Sequence, residues 1–167
     1  MKAYVGLTCK PGAYGRVLKE LLDLKIHSGD IFLLFGPVDI LVQLTGLTSL
    51  DEFKEKWFNP IRMIGADEEL ITRTLTLIVI TEGPEFVEEP FAFIFLHAKI
   101  QHLEDVRQSL QSIAGVLSAD TVFGPYDVIC PVRARDRVDL ERIIATIHNN
   151  IPEIVGTQTA VLALMRV

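Results

Sequence analysis

Two carboxylates hold the same place in a repeated turn. Phe35-Gly36-Pro37-Val38-Asp39 returns 88 positions later as Phe123-Gly124-Pro125-Tyr126-Asp127, and each copy lies between two apolar runs. A Gly-Pro pair in that setting predicts a β-hairpin turn with an aspartate at the mouth of the returning strand. An ionised Asp39 or Asp127 can accept charge-assisted hydrogen bonds from an ammonium group. Backbone N–H groups beside Gly36 or Gly124, where no Cβ blocks approach, can donate to a carboxylate. Thr72 and Thr74 in the first copy, and Thr157 and Thr159 in the second, add hydroxyls that can do either. These are the groups a zwitterion such as an amino acid requires. The plainer alternative is that the aspartates cap their hairpins through local backbone and the threonines are ordinary strand residues.

Other chemistry finds less support. His97 and His102 straddle one strand–helix junction, but no third ligand stands at regular spacing, and His27 and His148 lie elsewhere. No metal is expected. Cys9 and Cys130 form no CxxC pair and read as reduced core residues of a cytoplasmic protein. Arg133, Arg135 and Arg137 are interrupted by Asp136 and Asp139, which suits a solvated rim. There is no nucleophile–base pair and no cofactor motif, so neither catalytic residues nor a cofactor are expected.

Charge excludes more. The net charge is −6, and the stretch 81–90 alone carries four glutamates and no base. The flanking segments are each nearly neutral, so the basic footprint of direct nucleic-acid binding is missing. No apolar run reaches the roughly 18 residues of a membrane span, and no charged-then-apolar leader opens the chain.

The elements that must position these residues also come twice. Ala3 to Cys9 is β-rich, and Tyr14, Val17, Leu18, Leu21 and Leu22 then share one helical face. Ile31 to Phe35 and Val38 to Leu44 flank the first turn. Ser49 with Glu52 is a capping box that opens a second helix, which Asn59-Pro60 ends or kinks, and Thr72 to Ile80 is the fourth strand. The second copy follows the same order. Ala92 to Lys99 is its first strand, Leu103, Val106, Leu110 and Ile113 its first helical face, and Val116 to Phe123 with Tyr126 to Val132 its hairpin. Pro131, lacking an N–H, predicts an edge or a bulge there. Leu140, Ile143, Ile144 and Ile147 mark the last helix, before a strand that opens at Thr157.

The organisation expected is therefore a βαββαβ repeat over 1–80, an acidic Pro/Gly linker over 81–90, and a second repeat over 91–167. The fold class expected is α+β: two ferredoxin-like repeats whose sheets pack face to face as a pseudo-dimer of the dimeric α+β barrel type. The argument for packing is that Leu75, Leu77 and Val79 alternate with Thr76, Ile78 and Ile80, leaving both sheet faces apolar. The same pattern recurs at Val161, Ala163 and Met165 against Leu162 and Leu164. Pairing of each copy with another chain is the alternative.

The stretch Ala114-Gly115-Val116-Leu117-Ser118-Ala119-Asp120-Thr121-Val122-Phe123-Gly124-Pro125-Tyr126-Asp127 resembles the signature of the ligand-binding (RAM) domain of Lrp/AsnC transcription regulators. In that family a Gly-Val after the first helix leads to a hairpin of the form Gly-x-Tyr-Asp. Ile151-Pro152-Glu153-Ile154-Val155-Gly156-Thr157-Gln158-Thr159 is similar to the segment before the family's last strand, with Glu-Ile where Gly-Val is usual. The resemblance covers 91–167 well and 1–80 more weakly, since Val38 stands where the tyrosine would be. It implies a tandem of such domains without the family's helix-turn-helix DNA reader. It further implies a non-enzymatic regulatory protein whose effector, an amino acid or similar metabolite, sits near the hairpin, and which assembles into homo-oligomers. On this resemblance Gly124, Tyr126, Asp127, Thr157 and Thr159 form the stronger candidate site, and Gly36, Asp39, Thr72 and Thr74 the weaker. Two alternatives accompany it: a module that co-assembles with full-length Lrp/AsnC-type regulators, and a small enzyme of the dimeric α+β barrel class.

Overall fold

The computed structural model describes residues 1–163. The expected alternation at Leu164 and Met165 lies outside them.

In the first repeat, β1 (Ala3–Cys9) pairs antiparallel with β3 (Ile40–Leu44), Val5 opposite Val42 and Leu7 opposite Ile40. The other side of β3 takes β2 (Ile31–Phe35). Between β1 and β2 runs α1 (Tyr14–Asp23), whose Val17, Leu18 and Leu21 are buried as the periodicity predicts. The capping box at Ser49 forms, its hydroxyl accepting from the Glu52 N–H at 3.0 Å. The Glu52 carboxylate reaches back one residue further, to the N–H and hydroxyl of Thr48.

The helix it opens is not one regular element. A short α2 (Leu50–Glu52) passes into a π-helical stretch, Phe53–Phe58, and then α3 (Asn59–Arg62). Pro60 lies within this unbroken helical run, directly after the π-helical stretch, and the chain stays helical through it, Phe58 and Asn59 both keeping α-helical backbone angles. The strand β4 (Ile71–Thr81) follows.

In the second repeat, β5 (Ala92–Ala98) lies between β7 (Val128–Val132) and β8 (Ile154–Leu162), antiparallel to both. One face of this sheet packs on α4 (Leu103–Gln111) and α5 (Arg137–Asn150). The core there joins Ile94, Leu96, Val128, Cys130, Val106, Leu110, Ile143 and Ile147. Asp136 caps α5, accepting from the Asp139 N–H at 2.8 Å. The strand β6 (Asp120–Phe123) is shorter than its sequence suggests. Its ladder to β7 covers only Val128 and Ile129, because Pro131 has no N–H to extend it. Val116 keeps a single bridge to Val132, and the Pro131 carbonyl accepts from Leu117 N–H at 2.9 Å.

The expected pair of separate sheets packed face to face is not what forms. The eight strands close edge to edge into one barrel in the order β1-β3-β2-β8-β5-β7-β6-β4. That arrangement fits the dimeric α+β barrel class, and closure removes the exposed strand edges that two open sheets would leave. By contacts the described chain divides into two compact units, Met1–Leu77 with Ala163, and Ile78–Leu162. The end of β4 belongs to the second unit, where Ile78 pairs with Phe123 and Val79 with Val122.

The linker is less free than its composition suggests. The Thr81 N–H donates to Thr121 Oγ1 at 3.1 Å, and Gly83 N–H donates to Asp120 Oδ1 at 2.7 Å. Asp120 is fully buried. A Cβ on Gly83 would stand 2.4 Å from Ser118 Oγ and 2.6 Å from the Ala119 carbonyl oxygen, so only glycine passes there. Glu88 then pairs with Arg133 at 2.6 Å. Gly83→Ala is expected to lose about 1–3 kcal/mol of stability by forcing these backbones apart, measured by urea denaturation. Glu85→Ala, at an exposed position, should lose less than about 0.5 kcal/mol.

Candidate functional site

The repeated aspartate is a clamp in both units. Asp39 Oδ2 accepts from Cys9 N–H at 2.7 Å, and Asp127 Oδ2 accepts from Ala98 N–H at 3.0 Å. Cys9 and Ala98 end β1 and β5, so each carboxylate ties its hairpin to the last residue of the repeat's first strand. The main chain repeats the tie. Asp39 N–H donates to the Leu7 carbonyl at 2.8 Å and Asp127 N–H to that of Leu96 at 2.9 Å. The plainer expectation of local capping was right about the kind of bond and wrong about its reach.

Around Asp127 the second unit gathers aromatic and polar groups. The Tyr126 ring is buried, 5.1 Å from Phe95 and 4.9 Å from the His97 imidazole, and its phenol donates to Gln158 Oε1. His97 Nδ1 lies 3.8 Å from Asp127 Oδ2. Across the β5–β8 ladder His97 faces Gly156, where an added Cβ would meet nothing within 4 Å. The space above Gly156, opposite the imidazole, is open. Gly124, exposed at the turn, has φ +152°, a conformation that side chains disfavour.

The first unit keeps the clamp and changes its surroundings. Val38 is buried against Gly6, where a Cβ would come within 2.7 Å of the valine methyl. The matching pair in the second unit is Tyr126 on Phe95, so the two positions have changed together. A phenol reaches Asp39 from another element: Tyr14 at the start of α1 is pushed up to about 12, by burial first and then by its hydrogen bond to Asp39. Burial, with the Asp39 charge, pushes the Cys9 thiol up to about 11. Arg73 donates to the Pro37 carbonyl at 3.4 Å, bringing a guanidinium to the turn that holds Gly36.

The threonines divide from the aspartates. Thr157 Oγ1 bonds His148 Nε2 of α5 at 3.0 Å, which places it on the helix side of the sheet. Strand alternation puts Thr159 on that side too, and Gln158 on the other with Tyr126. Thr72 donates to the Thr8 carbonyl at 3.1 Å, and Thr74 is half-buried two residues on. Gln158, His97 and Tyr14 are the neighbours of the clamp that sequence reasoning passed over. Alternation along β8 was the available signal for Gln158, whereas nothing local pointed Tyr14 at Asp39.

Among the described residues, no three His, Cys, Asp or Glu side chains converge as a metal site, and no helix is long and apolar enough to cross a membrane. Asp39→Ala and Asp127→Ala each leave a strand-end N–H without its acceptor. Each should lose about 1–3 kcal/mol in urea denaturation, with the asparagine variants losing less.

The comparisons with known proteins bear on the two halves differently. Residues 91–163 match the Lrp/AsnC ligand binding domain family. The crystal structure of FFRP-DM1 is 30% identical over 44% of this chain and 96% of its own, with a TM-score of 0.40. A major regulator of staphylococcal pathogenesis is 16% identical over 99% of this chain and 100% of its own, with a TM-score of 0.52. The siroheme decarboxylase NirDL is 7% identical over 96% of this chain and 71% of its own, with a TM-score of 0.57. The last two likenesses speak to fold alone. No curated protein matches the chain. It is the second half, residues 91–163 with the Tyr126–Asp127 hairpin inside it, that matches the Lrp/AsnC ligand binding domain.

Proposed function

We propose that the chain is a non-enzymatic regulatory protein that binds a small effector, an amino acid, beside Asp127, and that it self-associates. The observation that carries this reading is the state of Asp127. Its Oδ2 is fixed by the Ala98 N–H and its side chain is 29% exposed, inside the segment that matches a ligand binding domain. A half-exposed carboxylate held in place from one side suits an ammonium group arriving from the other. Gln158 and the backbone around Gly124 offer donors for a ligand carboxylate.

Thermal denaturation in the presence of each of the twenty L-amino acids at millimolar concentration tests the reading. At least one is expected to raise the midpoint, and Asp127→Asn to abolish that rise. Twenty flat responses would retire the amino acid.

Self-association is supported by the turn itself. Phe35 and Phe123 are 69% and 74% exposed, an apolar ring held out at the same place in each repeat. The double variant Phe35→Ser, Phe123→Ser is expected to shift sedimentation toward the monomer, and an unchanged distribution would remove this support.

A further inference from the structure

We propose, resting on the ligand reading above, that His97 is a proton-operated competitor for Asp127, so that ligand binding to the second unit is gated by pH while Asp39 in the first unit has no such gate. His97 is placed by geometry on two sides. Its ring lies 4.9 Å from that of Tyr126 at an interplanar angle of 30°, and its Nδ1 is 3.8 Å from Asp127 Oδ2. With side-chain exposures of 48% for His97 and 29% for Asp127, the pair reaches water and can exchange protons with it. The imidazole is the side chain whose charge changes between about pH 5 and pH 8.

The other charged groups around His97 do not compete for this role. Opposite it on β8 stands Gly156, and the next residue on that face is the neutral Gln158. The hairpin contributes Asp127 and the Tyr126 phenol. Along its own strand Lys99 follows, its N–H donating to the Glu153 carbonyl at 3.0 Å, and among the described residues His97 pairs with Asp127. At the start of α4, the N-cap residue His102 lies 4.0 Å from Asp105. Asp127 is thus the carboxylate that an imidazolium at position 97 meets.

The sign follows from the charges. A charged imidazolium neutralises Asp127, and an incoming ammonium finds its counter-charge already taken. A neutral ring leaves the carboxylate available. Affinity for a ligand ammonium therefore falls as pH falls, and by reciprocity a bound ammonium drives the proton off His97. For a partly exposed pair the effect is about two- to fivefold in affinity. In the first unit the residue at the matching place is Thr8, which does not titrate.

The test uses the full chain and has two arms. In the first, binding of the twenty L-amino acids is measured at pH 5.5 and pH 8. Wild type is expected to bind about two- to fivefold more weakly at the lower pH. His97→Asn, which keeps a polar side chain and cannot gain charge, is expected to bind equally at both. The same loss of affinity in both proteins would overturn the proposal. The second arm needs no ligand: the side-chain carboxyl carbon of Asp127 is followed by NMR from pH 5 to pH 8. A step present in wild type and absent in His97→Asn supports the coupling, and no step in wild type overturns it. If no amino acid binds while the step is present, the amino-acid reading fails and the proton coupling stands.

Discussion

One bond organises each repeat: a carboxylate at the start of the hairpin's second strand accepting from the last N–H of the repeat's first strand. On the hairpin side the ladders end at Leu7 and Leu96, so the amides of Cys9 and Ala98 lie beyond them and need another acceptor. Asp39 and Asp127 supply that acceptor and fix where the hairpin sits along the strand. A charged acceptor makes the bond stronger than a neutral one and ties the register of the turn to a single side chain. With the register set, the exposed phenylalanine, the glycine and the residue before the aspartate all take defined positions.

What the two units build on this shared bond differs in a connected way. Tyr126 needs a surface to lie on and finds Phe95, with His97 beyond it and Gln158 at its hydroxyl. Val38 is smaller and sinks onto Gly6, which has no room for a side chain. Neither member of either pair can change alone without a clash or a void. The first unit compensates chemically rather than sterically, by bringing the Tyr14 phenol to Asp39 from α1. Copies that keep one clamp and exchange everything around it can hold a common fold while offering different chemistry.

Much of the fold was legible because its signals are local. The helical faces at Val17, Leu18 and Leu21 and at Val106, Leu110 and Ile113 follow from period, and the repeat of the Phe-Gly-Pro-x-Asp turn fixed the element order twice over. The dimeric α+β barrel type was legible from the repeat, but edge-to-edge closure in place of stacked sheets was not, because apolar residues on both faces of a strand are equally compatible with stacked sheets and with a curved one. The site was half visible. Asp39 and Asp127 stood out by repetition, but the groups that accompany them come from other elements, and repetition hides the very positions at which copies diverge. The threonines misled for a simpler reason, since neighbours along a strand face opposite sides and Gln158 between them takes the side where Tyr126 lies.

The bond from Gly83 to buried Asp120 bears on how such a chain can evolve and be divided. Four glutamates and two prolines make 81–90 look like a joint at which copies could be shuffled or separated freely. Its first three residues are instead part of the second unit's wall, for Thr81 completes β4 and Gly83 hands its amide to a carboxylate that water does not reach. A boundary drawn at residue 80 keeps Gly83 with Asp120 but cuts β4 short of Thr81 and parts Ile78 and Val79 from their partners Phe123 and Val122. Further along, Glu88 is tied to Arg133, so a joint that looks free by composition is held to the second unit at two points.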